Sequence, residues 1–238
     1  MFTAEGLPDF GEPRALQTDR IAGIARIARI AGIVREYASA ARLAVDQAGF
    51  EGVEIHAANG YLPHQFLAEG TNFRTDQCGG SAGNRARFPL EVTTGVTAAV
   101  GADRVGLRLS PANRFNDIVG HETEDVYAAV VAGVEPLRLA YLQVLEGPPA
   151  VTRAIRRGYS GAVIVNAAFS LTGLRDNLEG LLGAGRADLV AVGRAFLAYS
   201  DLVHRLQFDA ALDPADETSF YGGTDPGYLD SPTLGEAA

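Results

Sequence analysis

Five times between residues 34 and 192 a helical stretch gives way to a short apolar run, and that alternation restricts the chain to a parallel sheet with helical crossovers. The pattern predicts helices over Val34 to Ala48, Arg87 to Val100, Glu122 to Leu137, Ala150 to Gly158 and Leu171 to Gly183. It predicts strands over Phe50 to Ile55, Arg104 to Leu109, Ala140 to Leu145, Ala162 to Val165 and Leu189 to Val192. Such continuous apolar strands suit either a doubly wound open sheet or a (β/α)8 barrel. Polar residues decide between them, because they follow successive strands: His56 and Asn59, Arg108 with Ser110, Gln143 and Glu146, Asn166, then Gly193 and Arg194. Function at the C-terminal end of nearly every strand is a barrel property. The expected fold class is therefore α/β, an incomplete (β/α)8 TIM barrel of about five βα units. Only about fifty residues precede the first strand, too few for the other three strands of a barrel.

The chain reads as one domain in three stretches: a lead-in loop and extended helix over 1–45, the βα units over 46–206, and a tail over 207–238. Helical pattern begins near Thr18 and Asp19, either of which can cap a helix. Ile21, Ile24, Ile27, Ile30 and Ile33 then recur every third residue, so they spiral around an α-helix instead of forming one stripe. A partner-binding or membrane-surface helix is one reading; a small tandem duplication that lengthened an existing helix is the preferred one.

Charge and cysteine usage narrow the function. A net charge of -9 disfavours a nucleic-acid or anionic-membrane surface, which needs clustered positive charge. No run of 18 apolar residues offers a membrane span, and the N-terminal residues lack the charged start and apolar core of a signal peptide. The one cysteine, Cys78, permits neither an intrachain disulfide nor a four-cysteine metal site, and a cytoplasmic location follows as the default. All 20 basic residues are Arg, read as genome bias, although Arg also suits phosphate and carboxylate binding.

Several residues at strand ends carry candidate chemistry. His56, Asn59 and Tyr61 leave the first strand as a His-x-x-Asn-x-Tyr cluster, able to grip a carbonyl oxygen with two neutral donors and a nearby phenol, or else to cap a polar turn. Arg108 near the end of an apolar strand implies an anionic or electron-rich partner, or a structural pair with Glu54. The turns Val165-Asn166-Ala167-Ala168 and Val192-Gly193-Arg194 could hold a phosphate on backbone N–H groups, or be ordinary tight turns. The polar stretch from Arg74 to Phe88 suits an active-site wall or a subunit contact, with Asn84 and Arg85 binding backbone carbonyls. Cys78 has no neighbouring base and reads as an inert thiol; His64, His121 and His204 lack metal-ligand spacing and receive no role.

Read together, these motifs resemble the Old Yellow Enzyme family of FMN-dependent ene-reductases, the NADH:flavin oxidoreductases. The resemblance runs from Pro13-Arg14-Ala15-Leu16 to Ser231-Pro232, through Gly52-Val53-Glu54-Ile55-His56, Gln65-Phe66-Leu67, Asn72-Phe73-Arg74-Thr75-Asp76, Asn84-Arg85-Ala86-Arg87-Phe88, Arg108-Leu109-Ser110-Pro111 and Val192-Gly193-Arg194-Ala195-Phe196. It implies strands 4 to 8 of the barrel, FMN as cofactor, NAD(P)H as hydride donor and a small unsaturated carbonyl compound as substrate. By the same resemblance, His56 and Asn59 bind the substrate carbonyl and Tyr61 donates the proton. Arg108 lies beside the flavin pyrimidine, Asn166, Ala167, Ala168, Gly193 and Arg194 form the flavin and phosphate site, and Tyr221 lies near the substrate mouth. The family usually has Gly-Gly where Ala167-Ala168 stands, and often His where Gln143 stands. Absence of the family's first three strands implies impaired activity and self-association through open sheet edges. A flavin-free remnant acting as an interaction module, or a hydrolase or lyase barrel using His56, remain the rivals.

Overall fold

A computed structural model describes residues 27–166, 174–212 and 233–234. Helix α1 (Ile27–Arg42) runs through one π turn (Leu43–Gln47) to strand β1 (Val53–Ala57), the short α2 (Leu62–Leu67) and the long α3 (Ala82–Val100). Then come β2 (Val105–Leu109), α4 (Thr123–Val134), β3 (Tyr141–Leu145), α5 (Pro149–Gly158), β4 (Ala162–Asn166), α6 (Leu174–Gly183) and β5 (Leu189–Val190), followed by α7 (Arg194–Ala198) and α8 (Leu202–Gln207).

The five strands are parallel and lie in chain order, β1-β2-β3-β4-β5. A doubly wound sheet would reverse direction at a switch point; this one never does, as in a barrel wall. Alternation along each strand gives the sheet two unlike faces. One face is sealed: Leu107, Leu109, Leu142, Val144, Val163 and Val165 are fully buried in the main core, with Val92, Val96, Val130 and Val134 of α3 and α4. Helices α1, α3, α4 and α5 pack each against the next along the sheet. The other face carries Glu54, His56, Arg108, Tyr141, Gln143, Ile164 and Asn166, all partly or largely exposed.

Several boundaries differ from the sequence reading. The first strand begins at Val53, not Phe50, because Gly49 turns the chain at a φ of 77° and Gly52 presses on the backbone of Arg104, where a Cβ would lie 2.6 Å from the carbonyl oxygen. The strand also ends later, at Ala57 and not Ile55, so His56 lies inside β1. Helix α3 begins five residues before Arg87, capped by Ser81, whose hydroxyl accepts the Asn84 N–H at 3.3 Å. Helix α2 escaped the periodicity because six residues are too few to show one. Strand β5 stops two residues short of Val192, and the predicted helix to Leu137 ends in a 3-10 turn over Glu135–Leu137. Thr18, Asp19, Ile21 and Ile24 fall outside the described residues; Ile30 is buried and Ile33 packs against the core. Among the described residues no helix is long and apolar enough to cross a membrane.

Candidate active site

Sheet register builds the site before any loop does. His56, Arg108, Gln143 and Ile164 occupy one row across β1 to β4 on the open face. The row nearer the strand starts is Glu54, Gly106, Tyr141 and Ala162. Gly106 is required there, since the Tyr141 ring lies across it and a Cβ would fall 2.3 Å from that ring. Lying flat, Tyr141 donates its hydroxyl to Glu54, and burial together with that carboxylate pushes the phenol up to about 12. Glu54 thus takes the tyrosine as its hydrogen-bond partner, and the Nε of Arg108 is buried without one. The predicted Glu54–Arg108 pair is reduced to a charge interaction that opposes the rise burial causes in the Glu54 pKa.

His56 is half-buried. Burial first, and the Arg108 charge second, lower its pKa below the usual imidazole value, so the ring is neutral at neutral pH. Its Nδ1 is buried and unpartnered. The Tyr61 ring stands 4.5 Å away, centroid to centroid, tilted 45°.

Beyond β1 the chain makes a tight turn through two consecutive left-handed residues, Asn59 with φ 53° and Gly60 with φ 80°. Neighbours hold it from several sides. The Asn59 N–H donates to Ser110 Oγ at 2.8 Å, and the Gly60 N–H to His64 Nδ1 at 3.0 Å. Asn116 Nδ2 donates to the Asn59 carbonyl at 2.8 Å, and Gln65 Nε2 to the Gly60 carbonyl at 2.7 Å. Gly60 lies so close to the segment after β2 that a Cβ would meet Phe115 O at 2.8 Å. The Asn59 Oδ1 is buried without a partner, whereas Tyr61, at the head of α2, is 55% exposed.

At the other end of the sheet, Asn166 closes β4 with a buried, unpartnered Oδ1. The Ala191 N–H donates to Val165 O at 2.9 Å, which sets the chain leading to Gly193 beside the end of β4. Gly193 caps α7 with negative φ, and a Cβ there would meet nothing within 4 Å. Ala167, Ala168 and Tyr221 lie outside the described residues. The structure therefore sets Tyr61 against His56 with Asn59 in the turn between them, puts Arg108 in the row beside His56, and places Asn166 two strands beyond Arg108.

Sequence reasoning missed His64, Ser110, Gln65 and Asn116 as holders of the turn, and Tyr141 with Gly106 as a paired fit. Only the His64 and Gln65 contacts are local, four and five residues from Gly60 on a helix with Pro63 in its first turn. Arg85 does bind carbonyls, donating to Leu67 O at 3.0 Å and also to Gly80 O. Asn84 contributes only its backbone N–H to the Ser81 cap.

A family model described as NADH:flavin oxidoreductase / NADH oxidase family matches residues 24–213. The 12-oxophytodienoate reductase 1 of Oryza sativa subsp. japonica is 40% identical over 239 residues, an alignment covering 95% of this chain and 59% of the relative. Morphinone reductase in complex with tetrahydroNAD superposes with a TM-score of 0.79 at 41% identity, over 93% of this chain and 58% of that one. The old yellow enzyme from Trypanosoma cruzi gives a TM-score of 0.79 at 34% identity, over 94% and 58%. The chain spans less than two thirds of the length of each of these relatives.

Proposed function

The chain belongs to the NADH:flavin oxidoreductase / NADH oxidase family, that of the Old Yellow Enzymes, and from this premise we propose that it carries the chemistry of an FMN-dependent NAD(P)H oxidoreductase of the ene-reductase type. Its substrates are small α,β-unsaturated carbonyl compounds, reduced at the activated C=C bond. The observation that carries this reading is a set of buried polar atoms without partners, His56 Nδ1, Asn59 Oδ1, Arg108 Nε and Asn166 Oδ1, along one open face and its C-terminal rim. Unpaired buried polar atoms are costly, and a ligand lying across that face satisfies them if it offers donors to the two Oδ1 atoms and an acceptor to Arg108 Nε.

FMN fits those residues. Arg108 would hold the pyrimidine side, where a fixed positive charge favours the reduced, anionic ring, Asn166 would contribute to the flavin site, and backbone groups around Ala167, Ala168, Gly193 and Arg194 would hold the ribityl phosphate. When bound, FMN supplies the hydride chemistry between NAD(P)H and the alkene. His56 and Asn59 hold the substrate carbonyl oxygen, each as a neutral donor, so that charge developing on the oxygen is stabilised without full proton transfer. The lowered His56 pKa supports this, because a neutral ring persists at working pH. Tyr61, against the His56 ring and open to solvent on its other side, delivers a proton to the α-carbon from its hydroxyl. Tyr221 contributes to the substrate mouth.

The 238 residues alone hold FMN weakly and reduce enones poorly, work in the cytoplasm, and self-associate through the open edges of β1 and β5. What supports the weak binding and the self-association is the sheet face left open among the described residues, since a flavin held from one side loses several hydrogen bonds worth roughly 0.5–1.5 kcal/mol each. Titration of the purified chain with FMN, followed by flavin fluorescence, is the test. Weak quenching is expected, with tight binding and NADPH-dependent enone reduction appearing when the chain is joined to a first half-barrel from a relative. Stoichiometric submicromolar binding by the chain alone would refute the one-sided cradle; no binding after joining would refute the FMN assignment.

A further inference from the structure

His64 takes no part in the chemistry just described, yet it is built into the frame of the site. The residue is 3% exposed, in α2, and its Nδ1 faces the turn that carries Asn59. That turn needs holding, because Asn59 has a Cβ and still adopts a φ of 53°. Ser110, Asn116 and Gln65 hold it through an N–H and two carbonyls, and each of those bonds is only partly buried or exposed. The His64 bond to the Gly60 N–H is fully buried. It also depends on protonation state: an N–H can be accepted only by a bare ring nitrogen, so Nδ1 must be unprotonated and the ring's proton must sit on Nε2.

We propose that His64 is a positioning residue, whose unprotonated Nδ1 accepts the Gly60 N–H, fixes the left-handed Asn59–Gly60 turn, and so holds the Asn59 amide beside His56; this rests on the functional reading above. The groups around the imidazole suit a neutral ring. Once protonated in acid, His56 of β1 repels a second positive charge from one side. Glu69, Arg85, Glu122 and Tyr127 line the same small cavity as His64, and Arg85 is already engaged with both carboxylates, at 3.4 Å to Glu69 and 2.8 Å to Glu122. Burial, with His56 adding to it, keeps the His64 pKa down at about 4, so the acceptor survives throughout the neutral range.

Two substitutions in the full 238-residue chain separate positioning from packing. His64→Phe keeps a ring and removes the acceptor; His64→Asn places an Oδ1 where Nδ1 stood. In 15N-labelled protein the Gly60 amide is expected to exchange about tenfold faster with solvent in His64→Phe, and to return to within about twofold of the parent in His64→Asn. In the parent chain its chemical shift should follow the titration of the His64 ring. In the half-barrel fusion, turnover of 2-cyclohexenone should fall about tenfold in His64→Phe and recover in His64→Asn. Exchange at Gly60 is read without flavin, so a failure of FMN to bind does not touch that arm. Gly60 protection unchanged in His64→Phe would overturn the positioning role, as would equal loss in both variants, which would mark His64 as packing alone.

Discussion

A single hydrogen matters at position 106. Gly106 lets the Tyr141 ring lie flat on the open sheet face and reach Glu54. Gly106→Ala should therefore destabilise the chain by about 1–3 kcal/mol through overpacking, read from the urea midpoint, and adding Tyr141→Val should recover most of the loss. A variant as stable as the parent would mean that Tyr141 lies elsewhere. Protons act at the same scale. The folded state holds His64 at about 4, below the ordinary imidazole value, so between about pH 6.5 and 4 the unfolded chain binds more protons than the folded one. This contribution is complete above pH 6.5 and lost as pH falls towards 4, reaching about 3 kcal/mol, with His56 acting in the same direction. Urea midpoints measured against pH should fall more steeply through that window in the parent than in His64→Phe. Cys78, 1% exposed, has its thiol pKa raised by burial first and by Asp76 and Glu91 next. Iodoacetamide should label it at least about a hundredfold more slowly in the native chain than in urea.

Among the elements, α3 does most to join its neighbours, and one side chain shows how. Arg85 in its first turn is 3% exposed and donates to Leu67 O at the end of α2 and to Glu122 just before α4. Arg85→Ala should cost about 3 kcal/mol, because it leaves a buried carbonyl without its donor and removes an ion pair, whereas Ser81→Ala at the cap should cost about 0.5–1 kcal/mol. Chemical denaturation of the two variants checks both the order and the size. At this scale the sequence was legible wherever apolar runs are unbroken: β2, β3 and β4 lie within a residue of their predicted bounds. It misled where backbone contact or a cap decides. Gly52 against Arg104 delays β1, and Ser81 starts α3 amid polar residues that read as loop. Of the site, His56, Asn59 and Tyr61 stood out because polar residues interrupt an apolar strand. Two of their supports did not, because Ser110 and Asn116 are 51 and 57 residues from the turn they hold.

At the scale of the whole molecule, the described residues cover the sheet on one face only. Sedimentation velocity over about 1–100 µM should show the chain self-associating through its open edges and face, and a half-barrel supplied in trans should replace the larger species with a single heterodimer. A monomer across the whole range would argue that the open face is tolerated in water. Strand order carries a different lesson. Among the described strands, each after β1 pairs with the one that precedes it in the chain, and the helices that pack together, α1 with α3, α3 with α4 and α4 with α5, are also successive along the sheet. On a ribosome, β2 therefore finds β1 already outside the exit tunnel, β3 finds β2, and each later strand meets the edge of a neighbour already made. The wall can assemble in the order in which it is translated, and Ser110 and Asn116, which emerge after the Asn59 turn, close around a turn that is already there.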